Sequence, residues 1–148
     1  MKFNDADREV LGGQAARLIE SYERWFESAG AQGASELATF RLAGYFDRPA
    51  DAGCLAALRA LPCIPGLNDP LVNLTDAQWN LAIKRLTACE LLSQVDGSGA
   101  IDAHALVRDL LAKRTREQQP QAWVEGHRRL YEHLKRRAPY RPDGIAAL

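Results

Sequence analysis

Apolar residues recur at helical spacing over six separate segments of this chain, and proline, glycine or strand-like stretches interrupt the pattern between them. Apolar side chains three and four residues apart are typical of a helix with one buried face. The residue before Pro49 is disfavoured in helical geometry, and Pro62, Pro65 and Pro70 impose a loop of roughly ten residues. The sequence therefore predicts a mainly helical fold. The six predicted helices cover about 5–28, 35–46, 50–61, 75 onwards, 104–118 and 120–138.

The first predicted helix carries an apolar stripe that we expect to be buried. Its members recur at spacings of four and three residues, so they lie on one face. They are Leu11, Ala15, Leu18, Tyr22 and Trp25. Residues 30–35 then break the pattern with glycine, alanine and serine and predict a linker. Like Trp25, Trp79 and Trp123 fall on apolar stripes, which indicates packing within the core rather than ligand stacking.

A β-hairpin is predicted after the fourth helix. Residues 91–95 and 100–103 are strand-like, and Asp-Gly-Ser-Gly at 96–99 supplies the turn. Three helices followed by a hairpin is the order of a winged helix-turn-helix, here over 35–104. We therefore predict three units: an N-terminal helix and linker (1–34), a winged-helix domain with its following helix (35–118), and the start of a helical, repeat-like region with a loose tail (119–148).

The overall charge of the chain does not indicate a protein that binds nucleic acids. The chain carries 19 Lys and Arg against 19 Asp and Glu, whereas proteins that bind nucleic acids normally show a basic excess. The balance is uneven along the chain: residues 1–104 carry 9 basic against 14 acidic residues, and residues 105–148 carry 10 against 5. A solvated helix face explains the basic end more simply than a polyanion site.

The cysteines and the N-terminus indicate a reduced, cytoplasmic protein. Cys54, Cys63 and Cys89 are odd in number, form no CxxC pair, and sit at positions that predict core packing. Acidic residues stand where a signal peptide needs an apolar stretch. No run approaches the ~18 apolar residues of a membrane span.

Catalytic motifs are missing from the sequence. It contains no Gly-rich phosphate loop, no GxSxG elbow and no HExxH helix. His127 and His133 are six residues apart, which puts them on different faces of a helix, so we do not expect them to share a metal ion. The sequence therefore predicts a non-catalytic chain without a cofactor or metal ion of its own.

DNA binding is the alternative function, because helix-turn-helix domains can place a recognition helix in the major groove. The fourth helix, the candidate recognition helix, offers base-reading side chains at Gln78, Asn80, Lys84 and Arg85. The hairpin carries Asp96 and Asp102 but no Lys or Arg, so its charge opposes phosphates. Nucleic acid is thus the weaker prediction.

His104 is the one candidate site residue, because it stands where the hairpin ends and the fifth helix begins. An imidazole can donate a hydrogen bond to a phosphate oxygen, and the backbone N–H groups at a helix start favour anions. The helix dipole disfavours the protonated ring, so a neutral donor is expected. A histidine bonded to a nearby backbone group explains the same position, and spacing alone favours that second interpretation.

Three stretches of the sequence together resemble a known family. The first two are Ile19-Glu-Ser-Tyr-Glu-Arg-Trp and Leu42-Ala-Gly-Tyr-Phe-Asp-Arg-Pro-Ala-Asp, and the third is Ile101-Asp-Ala-His-Ala-Leu-Val-Arg-Asp. They resemble the segment that follows the nucleotide-binding domain in bacterial STAND-class signalling NTPases. These are related to the apoptosome ATPases, plant NB-ARC resistance proteins and NACHT proteins. The resemblance covers about residues 15–138, and it favours the phosphate-facing interpretation of His104.

The resemblance implies a role for His104 and for its surroundings. In that family a winged-helix domain packs on the ATPase core, and the histidine of an MHD-type motif reaches the β-phosphate of ADP in the resting state. His104 matches that histidine, while Ala103 and Ala105 replace the Met and Asp beside it. ATP or ADP would be held by an upstream nucleotide-binding domain, which is the implied partner, and residues 120–138 would begin the sensor repeats. A third interpretation stays open: a helical interaction scaffold that pairs through the stripe at 11–25 or the one at 123–134.

Overall fold

The computed structural model describes residues 5–137, with side chains from residue 12 onwards, so the predicted tail at 139–148 lies outside the described residues. This part of the chain is mainly helical with one small antiparallel sheet, as predicted. Its elements are α1 (Asp5–Ser28), α2 (Gly30–Leu42), a short 3-10 helix (Ala43–Tyr45), α3 (Ala52–Arg59), α4 (Asp76–Ala88), β1 (Ser93–Val95), β2 (Ala100–Asp102), α5 (Ala105–Gln118) and α6 (Pro120–Arg137).

The predicted linker at 30–35 is wrong, because these residues form the first turns of α2. Only Ala29 separates α1 from α2, so the predicted boundary between 34 and 35 falls inside a helix. The small residues allow the two helices to pass closely. Gly33 is buried against Phe26, and its missing side chain leaves room for the Phe26 carbonyl group. Glycine and alanine here reflect tight packing rather than flexibility.

The predicted buried stripe of α1 is also wrong. The buried side chains are Ile19, Glu23 and Phe26, whereas Leu18 is 52% exposed and Trp25 is 54% exposed. Leu11 belonged to the same predicted stripe, and its side chain lies outside the described residues. The helix carries two adjoining apolar faces, and the one that packs on the body is displaced by about one residue from the one predicted.

A buried carboxylate selects that face of α1. Glu23 accepts a hydrogen bond from Arg41 Nη2 of α2 at 2.8 Å and another from Arg114 Nη2 of α5. A charge with so little exposure is tolerated only when it is paired, because burial removes its hydration. Glu23 therefore ties α1 to both α2 and α5, and this rotation of α1 leaves Leu18 and Trp25 outside.

The loop between α3 and α4 is organised by one buried amide. Asn68 is fully buried; its Nδ2 donates to the carbonyl oxygens of Leu58 (2.9 Å) and Ala60 (3.0 Å). Its Oδ1 accepts from Ile64 N at 2.6 Å. The buried N–H of Ile64 and the buried carbonyl of Leu58, which would otherwise have no partner, are thus satisfied by a single side chain. At the end of this loop Thr75 and Gln78 form the predicted capping box of α4.

The hairpin pairs antiparallel, with Gln94 opposite Ile101. A third extended segment joins it, since Ala50 and Ile101 exchange two backbone hydrogen bonds of 2.7 and 3.0 Å. Ile101 faces the core together with Phe40 and Leu86. Of the cysteines predicted to lie in the core, Cys54 does, but Cys63 is exposed in the loop after α3, where the chain passes over the surface.

The last helix, α6, packs on α3 and on the 3-10 helix. It buries Ala122, Gly126 and Leu130. Arg129 donates to the carbonyl oxygens of Ala60 (2.6 Å) and Pro62 (2.7 Å), just beyond the end of α3. Of the predicted apolar stripe of α6, Trp123 and His127 are half-buried and Leu130 is buried, but Tyr131 and Leu134 are exposed. Tyr131 and Leu134 therefore lie outside the contact between α6 and α3. No helix in the described portion is both long and apolar enough to cross a membrane.

Acid is expected to weaken the packing of α6 through His127. Its ring packs against Trp123 (centroids 4.1 Å apart) and Tyr45 (5.3 Å), and its Nε2 is buried with no hydrogen-bond partner among the described residues. This burial lowers the pKa of His127 from its ordinary value of 6.5. The unfolded chain then binds the proton more readily, so this part of the stability is complete above pH 6.5 and is lost as the pH falls through the folded pKa.

Urea unfolding compared between about pH 7.5 and pH 5.5 measures this effect. His127→Phe keeps an aromatic ring in place and should show a smaller loss of stability on acidification. An equal loss in both proteins would mean that another group is responsible.

Candidate functional site

His104 is positioned by the end of the sheet and the start of α5. Ile101 is anchored to β1 and to Ala50, and the following Ala103 is buried, so the backbone leaves the sheet in a fixed direction. His104 is the N-cap residue of α5, with φ −54° and ψ 139°, and its side chain is exposed. The place predicted for it, at the junction of hairpin and helix, is confirmed.

The imidazole ring itself caps the helix. Its Nδ1 accepts a hydrogen bond from Leu106 N at 3.1 Å. An accepting Nδ1 carries no proton, so the neutral ring holds its proton on Nε2, as a donor. The backbone-bonded and the phosphate-facing interpretations of His104 are therefore compatible. Nδ1 accepts a hydrogen bond from the local backbone, while Nε2–H on the other side of the exposed ring can donate to a group outside the chain.

A buried arginine lies one turn further along α5. Arg108 Nη1 is 3.7 Å from Asp102 Oδ1, and this carboxylate also accepts from Ala103 N at 2.9 Å. The Arg108 side chain is only 16% exposed, and its Nε and Nη1 make no hydrogen bond to any residue that the structure describes. Asp102 bonds the backbone just before His104, Arg108 lies close to this carboxylate, and neither was predicted as a site residue. Their only sequence signal is that Arg108 follows His104 by four residues, on the same helix face.

Two of the stretches that carry the family resemblance meet at this site. The bridge from Ala50 to Ile101 joins Leu42-Ala-Gly-Tyr-Phe-Asp-Arg-Pro-Ala-Asp to Ile101-Asp-Ala-His-Ala-Leu-Val-Arg-Asp. The Arg48 side chain hydrogen-bonds Asp47 and lowers the pKa of that carboxyl, and the nearby charge of Arg108 lowers it further. Segments some 50 residues apart in sequence are therefore one structural unit around the start of α5.

The groove beside His104 does not favour a free anion. It has a volume of about 290 Å³ and lies between the end of α4 and the start of α5. Its walls include the carboxylate-bearing Glu90 and Asp102 as well as His104. Carboxylates repel a phosphate at short range, and one neutral N–H donor offsets little of that cost. A phosphate at His104 therefore needs most of its neutralising charge from another source.

The candidate recognition helix has part of its polar surface engaged within the chain. Gln78 Oε1 accepts from Thr75 N in the capping box, and Arg85 pairs with the buried Glu36 at 3.2 Å. Asn80 and Lys84 remain exposed. Of the tryptophans, Trp79 is half-buried beneath Arg59, whose guanidinium carbon is 3.9 Å from the ring centroid, and Trp123 stacks on Tyr45. The predicted packing within the core therefore describes Trp79 and Trp123 better than it describes the exposed Trp25.

No family model, no curated protein and no solved structure matches this chain.

Proposed function

We propose that this chain is the regulatory winged-helix segment of a STAND-type signal-transduction ATPase. In this proposal α2, α3 and α4 are the helices of the winged helix and β1 and β2 are its wing, so the domain covers residues 30–104. The order of the elements supports the assignment. The pairing of Ala50 with Ile101 supports it too, because this single bridge attaches the segment between the helices α2 and α3 to the edge of the hairpin.

The orientation of His104 is the observation that carries the proposal. Its Nδ1 is occupied by Leu106 N, so the ring is held in place with its Nε2–H as the remaining donor. A partner domain that holds ADP would place the β-phosphate against this donor in the resting state. The chain contributes one contact and the capped start of α5; it performs no catalysis and holds no nucleotide alone, and its setting is the cytoplasm.

The packing of α6 offers a route from this contact to the sensor repeats. In the proposal α6 begins those repeats, and Arg129 fastens it to the end of α3. Release of the phosphate would allow the winged helix to leave the nucleotide-binding domain, and α6 would move with it as part of the same body. The nucleotide state is thereby coupled to the repeats through contacts within one protein.

The first test measures nucleotide affinity of the chain alone by isothermal titration calorimetry. We expect ADP and ATP to bind more weakly than about 100 µM, because a single neutral hydrogen bond contributes only about 1 kcal/mol. Sub-micromolar affinity of the isolated chain for ADP or ATP would contradict the proposal that another domain holds the nucleotide. The genomic reading frame is a second check: we expect a phosphate-binding loop upstream in the same protein or in a partner protein.

The second test separates the cap of α5 from the phosphate contact in the assembly with the nucleotide-binding domain. Asn is as good an N-cap residue as any, but its short side chain reaches less far than imidazole. We therefore expect His104→Asn to leave the melting temperature of the isolated chain nearly unchanged and to speed ADP release about tenfold, the equivalent of about 1.4 kcal/mol. ADP release at the wild-type rate in His104→Asn would contradict the role.

A DNA-binding regulator is the second candidate, favoured by the same order of elements. The exposed Asn80 and Lys84 are the side chains of α4 that remain available to base edges. Binding to random duplex DNA at physiological ionic strength, with a steep loss on adding salt, would favour this function over the first.

A further inference from the structure

The helix α1 carries a second apolar face, whose inner edge borders the core and whose outer side chains are exposed. We call it the outer stripe and define it as Ala15, Leu18, Tyr22 and Trp25. Leu18 and Trp25 are each more than half exposed, while Ala15 and Tyr22 are half-buried at its inner edge. Large apolar side chains exposed together along one helix mark an interaction surface more often than a solvated one.

The spacing and the residue types of the outer stripe suit another helix. Its members are separated by three, four and three residues, which is the repeat at the seam between two packed helices. Trp and Tyr are the side chains that most often dominate binding energy at interfaces. Trp25 is also supported from below, because its ring lies 5.2 Å from the buried Phe26 ring and 6.3 Å from Tyr22. The surface is therefore ordered before a partner arrives.

The charged side chains nearest one edge of the outer stripe are two arginines, and Glu20 and Glu27 lie on the side of them that is further from the stripe. Arg17 and Arg24 each precede a stripe residue, are seven residues apart, and are exposed. Neither forms an ion pair with another residue that the structure describes. Only uncharged side chains, such as Ser21, lie between them and the stripe. The opposite edge is taken up by the face that packs on the body.

We propose that the outer stripe binds an amphipathic helix of a partner protein that carries acidic residues along the edge facing Arg17 and Arg24. The apolar anchors supply affinity, and the two unpaired arginines select the partner and its direction. A second copy of this chain fits less well, because an antiparallel pair of α1 helices brings two basic edges together. The surface is separate from His104, so this proposal and the proposed function can fail independently.

The experiment uses the full chain and two synthetic helical peptides of about 21 residues, labelled with fluorescein and followed by anisotropy. Both have leucine along the seam; one has glutamate and the other lysine along the facing edge. We expect the glutamate peptide to bind with a Kd of about 10 µM and the lysine peptide at least about tenfold more weakly. Salt at about 0.5 M should narrow this difference.

Three variants locate the binding. Trp25→Ala should weaken the glutamate peptide about tenfold and lower the melting temperature only slightly, because more than half of the removed side chain is exposed and the rest packs on Phe26. Leu81→Ala, which removes an exposed apolar side chain on α4, is the matched control and should bind as the wild type does. The double variant Arg17→Glu/Arg24→Glu should reverse the preference between the two peptides.

Several outcomes would overturn the proposal. One is equal binding of both peptides, and another is a preference that survives the double charge reversal. Concentration-dependent dimerisation that Leu18→Asp abolishes would show that a second copy occupies the stripe. Markedly tighter peptide binding by a chain that ends at residue 137 would show that its own tail does.

Discussion

Replacing Gly33 with alanine is expected to lower the free energy of unfolding by about 3 kcal/mol, the upper end of what overpacking costs. A Cβ at this position would collide with the carbonyl oxygen of Phe26 and lie 2.8 Å from the Cβ of Ala29. Both neighbours belong to the tight connection between α1 and α2, so no flexible side chain can move aside. The gain of about 1 kcal/mol in helix propensity is too small to offset the collision.

Gly13→Ala is the matched control, because the same substitution in α1 should have the opposite sign. A Cβ there would meet no atom within 4 Å. Alanine should therefore stabilise the chain by about 0.5–1 kcal/mol through helix propensity. Urea unfolding followed by circular dichroism measures both variants. Stabilisation by Gly33→Ala as well would show that α1 and α2 do not cross as closely as described.

Asn68→Ala should cost about 2 kcal/mol or more, since the substitution leaves two buried backbone groups without partners and each such group costs about 1–3 kcal/mol. These are the N–H of Ile64 and the carbonyl of Leu58, whereas the Ala60 carbonyl keeps its hydrogen bond from Arg129. The affected loop carries Leu67 and Leu71 into the core, so its loosening should also reduce the cooperativity of unfolding.

The control for Asn68 lies in the same loop. Asn73 is exposed, and Asn73→Ala should change the stability by no more than about 0.5 kcal/mol. Thermal unfolding of the two variants side by side is sufficient. A similar small effect from both would show that Asn68 does not organise the loop.

The elements whose ends are marked by capping, proline or turn residues were predictable from the sequence. Pro120 marks the start of α6, Thr75 and Gln78 form the box that starts α4, and the Asp-Gly-Ser-Gly turn lies between the two strands. These features depend on residues within one or two turns of each other. Local chemistry therefore determined their ends within a few residues.

The face that α1 buries was not predictable in the same way, because two adjoining stripes satisfy helical periodicity equally well. The choice between them depends on Arg41 and Arg114, which reach Glu23 from 18 and 91 residues away. The same limitation applies to the candidate site. His104 could be placed at the start of a helix, but the residues around this junction depend on Ala50 pairing with Ile101 and on Arg108 lying near Asp102.

The contacts of the two C-terminal helices bear on how the chain folds during synthesis. Glu23 gains its second partner only after Arg114, 91 residues further along the chain, has been synthesised. Likewise, Arg129 donates to backbone carbonyls that precede it by 67 to 72 residues. A nascent chain emerges at about 5–20 residues per second and folds from its N-terminus as partners become available. The α1 face with Glu23 thus emerges from the ribosome well before the helices that cover it. We expect this interval to be when the chain most needs a chaperone.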